Sequence, residues 1–77
     1  MNALEVLLGF LREEKEQTAL ELWTKVKRLK RLEFKAIKTE LNEEDQSIRE
    51  IMARAEADGL VKHQIRNRTI LKEWSIV

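Results

Sequence analysis

The chain is predicted to be a mainly α-helical domain that ends in a β-hairpin. Three observations predict it. Apolar residues recur at helical spacing in four stretches between Leu4 and Ala55. Two Ser/Thr-x-x-Glu signatures, Thr18 with Glu21 and Ser47 with Glu50, mark helix starts. Beyond Gly59 the apolar period falls to two, as in strands. Seventy-seven residues make one core, so residues 1–77 are expected to be a single domain, with a helix over 1–16 set before a unit over 17–77.

The first helix is expected over about 2–15, because Leu4, Leu7, Leu8 and Leu11 form one stripe. Val6 and Phe10 widen that stripe beyond what one core-facing helix needs. Either the helix packs on two neighbours, or Leu4, Val6, Leu7, Phe10 and Leu11 form a dimerisation face. The second helix starts at Thr18 and turns Ala19, Leu22, Trp23 and Val26 inward. Leu32 to Phe34 reads as a short bridge or the start of a third helix, which carries Phe34, Ile37 and Leu41 to a C-cap at Asn42. Glu43, Glu44 and Asp45 make a turn. A fourth helix then runs over 47–58, with Ile48, Ile51, Met52 and Ala55 on its core side and Gly59 as its cap. A turn at Asn67-Arg68 pairs Ile65 with Ile70 and Val61 with Trp74.

Composition excludes several classes. At 43% hydrophobic and 38% charged residues the chain is too apolar to be disordered. Without cysteine and with one histidine it has neither disulfides nor an evident metal centre. Three adjacent carboxylates at 43–45 diverge, so capping explains them better than magnesium. His63 shares a strand face with Val61 and Ile65 and reads as a packed or rim residue. Trp23 and Trp74 fall in apolar patterns and read as core. No glycine-rich phosphate loop or nucleophile–base set is present, so neither catalysis, a cofactor nor a small-molecule ligand is expected. No segment has the roughly 20 apolar residues of a membrane span, and Leu4 to Leu11 lacks the features of a signal peptide. A soluble, cytoplasmic or nucleoid-associated protein is the expectation. Residues 1–24 hold two basic and five acidic side chains (−3), and 25–77 hold thirteen and nine (+4), which directs the later segment towards a polyanion.

From Leu32 to Trp74 the chain resembles the winged helix-turn-helix superfamily. The likeness rests on Phe34-Lys35-Ala36-Ile37-Lys38, Ser47-Ile48-Arg49-Glu50-Ile51-Met52, Ala57-Asp58-Gly59-Leu60-Val61 and the hairpin after them. It implies a winged helix with an extra N-terminal helix that binds double-stranded DNA, as a homodimeric transcription regulator. The 47–58 helix would enter the major groove and present Gln46, Ser47, Arg49, Glu50, Ala53 and Arg54 to base edges. Lys35 and Lys38 would hold phosphates, and Arg66, Asn67 and Arg68 would form a basic wing tip. The acidic turn at 43–45 and the near-neutral total charge suit the alternative, a winged-helix module that binds protein rather than DNA.

Overall fold

The computed structural model describes all residues, 1–77, as four α-helices and an antiparallel hairpin. The helices are α1 (Ala3–Glu13), α2 (Ala19–Lys27), α3 (Arg31–Ile37) and α4 (Glu44–Ala57), and the strands are β1 (Val61–Ile65) and β2 (Lys72–Ile76). A 3-10 turn, Lys38–Leu41, continues α3. No helix is long and apolar enough to cross a membrane.

Local chemistry sets most helix ends. The Asn2 side chain accepts the Glu5 N–H at the start of α1, and the Glu40 carboxylate accepts the Ala3 N–H from across the fold at 3.1 Å. At α2 the expected capping box is complete: Thr18 Oγ1 accepts the Glu21 N–H, and Glu21 Oε1 accepts the Thr18 N–H at 2.8 Å. At the end of α4, Gly59 has φ +78°. The Leu60 N–H returns to the Ala55 carbonyl and the Gly59 N–H to Glu56, the two bonds of a Schellman cap. Glycine suits that position because it has no Cβ to crowd the left-handed backbone.

The core gathers one stripe from each helix and two residues from the hairpin. Ala3, Leu7 and Leu11 of α1 pack with Leu22 and Val26 of α2, and with Ile37 and Leu41 after the second bend. Ile48, Met52 and Ala55 of α4 complete it with Val61 and Trp74. This corrects the dimerisation face. Leu7 and Leu11 are 0% and 2% exposed, while Leu4, Val6 and Phe10 are half-buried against the same core. The broad stripe exists because α1 touches α2, α4 and β2 at once.

Gln17 joins the parts. Its backbone pairs with Trp74 in both directions, N–H to carbonyl at 3.0 Å and the reverse at 2.8 Å, which adds a one-residue third strand to the hairpin. Its side-chain Nε2 donates to the Phe10 and Glu14 carbonyls, which closes the C-terminal end of α1. Gln17 Oε1 and Trp74 Nε1 are buried without partners.

Four local expectations are corrected. The third helix is α3 plus a 3-10 turn rather than one helix over 34–41. Asn42 has φ −67°, so it is not a left-handed cap. The left-handed residue is Glu44, with φ +54°. Ser47 does not start α4, which begins three residues earlier; its hydroxyl accepts the Glu43 N–H from inside the helix. In the hairpin the register is Val61 with Ile76 and His63 with Trp74, two residues beyond the expected pairing, and the tip loop is longer. A two-residue slip preserves which face each side chain occupies, so Val61 and Trp74 stay buried. Ile70 leaves the ladder and is 94% exposed.

Leu7→Ala is expected to cost about 2–5 kcal/mol, as for other buried leucines, and Leu4→Ala markedly less. Urea unfolding of the two variants checks the ranking; equal losses would contradict the burial pattern.

Candidate nucleic-acid interface

The outer side of α4 faces the hairpin tip across a groove of about 540 Å³. One wall carries Asp45, Arg49 and Ala53, and the other Arg66, Ile70, Leu71 and Lys72; the start of α2, Thr18 to Glu21, closes the end. The groove exists because α4 has two sides of opposite chemistry. Ser47, Ile48, Met52 and Ala55 turn inward, which leaves Gln46, Arg49, Glu50, Ala53 and Arg54 exposed.

Charges on this face are largely matched within the chain. Arg49 Nη2 sits 2.9 Å from Asp45, and its Nη1 donates to Gln46 Oε1, whose amide nitrogen lies 3.4 Å from Glu50. At the tip, Arg66 Nη2 donates to Glu21 at 2.7 Å and to Glu73 at 3.2 Å. The guanidinium titration is raised by Glu21 first and then Glu73. The Thr18 backbone N–H, above all, holds the Glu21 carboxyl below its ordinary value of 4.5; partial burial opposes this, and Arg66 adds to it. Arg66, directly after β1, therefore ties Glu73 of β2 to the first turn of α2 and is not the free wing cation expected. Lys72 lies over the Trp74 ring at 5.6 Å without a carboxylate partner.

Of the expected DNA-contacting residues, Gln46, Arg49, Glu50, Ala53 and Arg54 are together on α4, and Arg66 and the exposed Asn67 and Arg68 are together at the tip. Arg68 occupies the left-handed region at φ +60°, in a turn closed by the Thr69 N–H on the Arg66 carbonyl. Ser47 drops out, since it is 5% exposed and faces the core. Lys35 and Lys38 are exposed on α3 and its 3-10 turn, outside the groove. His63, expected as a packed or rim residue, has Nδ1 2.7 and 2.8 Å from the two Glu56 oxygens, and its ring centroid is 5.3 Å from that of Trp74.

Two features went unassigned in the sequence. The apolar lining, Leu20, Ile70 and Leu71, is concealed by the spacing that pairs Ile70 with Ile65, because Ile70 and Leu71 lie in the tip loop instead. The run Lys27, Arg28, Lys30 and Arg31 was visible, but the favourable charge at a helix C-terminus accounts for part of it. The structure leaves all four exposed and outside every ion pair.

A lowered carboxyl pKa stabilises the fold above the ordinary value and loses that contribution as pH falls through the lowered one. Glu21→Gln is therefore expected to be less stable than the parent at neutral pH, with the gap closing below about pH 4.5. Thermal melts from pH 7 to 2 check it; a constant gap would mean that the carboxylate charge contributes nothing.

Compared with known proteins, the chain matches no family model, no curated sequence and no solved structure.

Proposed function

We propose that this chain binds double-stranded DNA as a winged-helix transcription regulator. One observation carries the reading: a helix anchored by a continuous buried stripe presents a polar outer face, and a hairpin tip stands beside that face across one groove. Fourteen residues make α4 about 21 Å long at 1.5 Å per residue, enough to lie in a major groove. Arg49 and Arg54 suit guanine edges and Gln46 suits adenine, while the small Ala53 lets the backbone approach. The Arg49–Asp45 pair is half-exposed, and such pairs contribute little, so exchange for a base or phosphate costs little. The order of helices and hairpin, with Gln17 bridging to β2, supports the winged-helix resemblance. Two copies on a pseudo-palindromic site belong to the same reading.

A second reading has its own observation. Within α4, Glu44, Asp45, Glu50 and Glu56 outnumber Arg49 and Arg54, four against two, a net of −2. With Arg66 tethered and Ile70 and Leu71 exposed beside it, the groove suits a protein surface as well.

Selection from a random duplex pool, followed by gel shifts over a salt series, separates the two. The DNA reading expects a selected sequence, with Arg49→Ala and Arg54→Ala each losing about 1–3 kcal/mol of discrimination. No duplex binding at low ionic strength refutes it and leaves the protein-binding reading.

A further inference from the structure

The most concentrated charge on the molecule lies away from the groove. Between residues 27 and 38 stand Lys27, Arg28, Lys30, Arg31, Lys35 and Lys38 against a single acid, Glu33, a net of +5 in twelve residues. All six cations are exposed and none forms an ion pair. Elsewhere Lys25 is paired with Glu14, Arg49 with Asp45 and Arg66 with two carboxylates, and the six other unpaired cations are scattered along the chain rather than gathered in one segment.

Helix electrostatics explains only part of this strip. Lys27 closes α2, where cations are favoured. Lys30 and Arg31, however, are the N-cap and first residue of α3, the end at which the backbone dipole opposes positive charge. Arg31 and Lys35 stand at i and i+4 on one side of α3, so they repel one another as well. Lys27, over the Trp23 ring at 6.0 Å, and Lys35, in the last turn of α3, have local reasons, whereas Lys30 and Arg31 have no ion-pair partner to offset their place at a helix start. Resting on the DNA-binding reading, we infer that the Lys27–Lys38 strip is the surface that grips the phosphate backbone, in place of the tethered Arg66.

The spacing fits that partner. Seven residues separate Arg31 from Lys38, a span of about 10 Å at helical rise. A duplex strand carries one charge per about 3.4 Å of axis, so the row meets about three phosphates. Guanidinium and ammonium groups on long side chains reach a regular polyanion without needing a shaped pocket. Leu32, 81% exposed, is the one apolar side chain projecting strongly from the strip. An interfacial membrane helix needs a broad apolar face, whereas Phe34 and Ile37 of α3 turn towards the core.

The test uses the full chain with the triple variant Lys30→Gln/Arg31→Gln/Lys35→Gln, and with Arg12→Gln/Lys15→Gln as the control for charge outside the strip. The probes are a 20-base-pair duplex of arbitrary sequence and phosphatidylglycerol vesicles. The triple variant should flatten the log–log salt dependence by about 2.7, three contacts at about 0.9 each, and Lys35→Gln alone by about 0.9. Its thermal midpoint should hold or rise, because repulsion is relieved, and the control should keep the parental slope. Parental binding with an unchanged slope in the triple variant overturns the strip while leaving DNA binding intact. Absence of duplex binding by the parent overturns both. Strip-dependent capture by vesicles but not duplex assigns the strip to a lipid surface and overturns the inference.

Discussion

The fold depends on how residues Gln17 and Thr18 join three elements that could not hold together separately. A two-stranded hairpin is marginal alone in water, and α2 spans only nine residues, too short for independent stability. Gln17 pairs with Trp74 through both backbone bonds and satisfies two carbonyls near the end of α1. Thr18, next in sequence, starts α2 and hands the chain to Glu21, which holds Arg66 at the base of the hairpin tip. A short extended link thus connects helix end, helix start, sheet and hairpin tip. The buried Trp74 ring sits where they meet, which explains how a small chain without disulfides assembles one core.

The same junction organises charge. Two carboxylates lining the groove are paired, Asp45 with Arg49 one turn away and Glu21 with Arg66 across 45 residues, whereas the cations of the strip after α2 have no such partners. One side of the molecule is therefore partly paired and partly apolar, and another carries uncompensated positive charge. The two surfaces differ in what they can do. The groove offers shape and a few forked donors, which suit discrimination. The strip offers charge without shape, which suits attraction at a distance and orientation.

Local features were legible in the sequence and distant ones were not. The Thr18 box, the Gly59 cap and the apolar stripes depend on residues within one or two turns, so spacing alone exposes them. Ser47 carried the same signature as Thr18 and misled, because a left-handed Glu44 starts the helix earlier and leaves the serine inside it. The hairpin register was ambiguous for a different reason: a slip of two residues keeps every side chain on its face, and Asn67-Arg68 only weakly specifies the turn. Gln17 gave no sign of its role, since a polar side chain is buried only when distant carbonyls are brought to it. For the candidate site, the α4 face followed from periodicity. The tethering of Arg66 and the isolation of the Lys27–Lys38 charges followed from tertiary neighbours alone.

The pairing of Gln17 with Trp74 links positions 57 residues apart. During synthesis, a nascent chain carrying α1 through α4 still lacks the tryptophan that fills the centre of the assembly. Its helices then expose the side of the stripe that the hairpin later covers, and they gain their sheet partner only when β2 leaves the ribosome. The order of translation, N-terminal helices first and the keystone ring last, makes closure of this domain a late, all-at-once event.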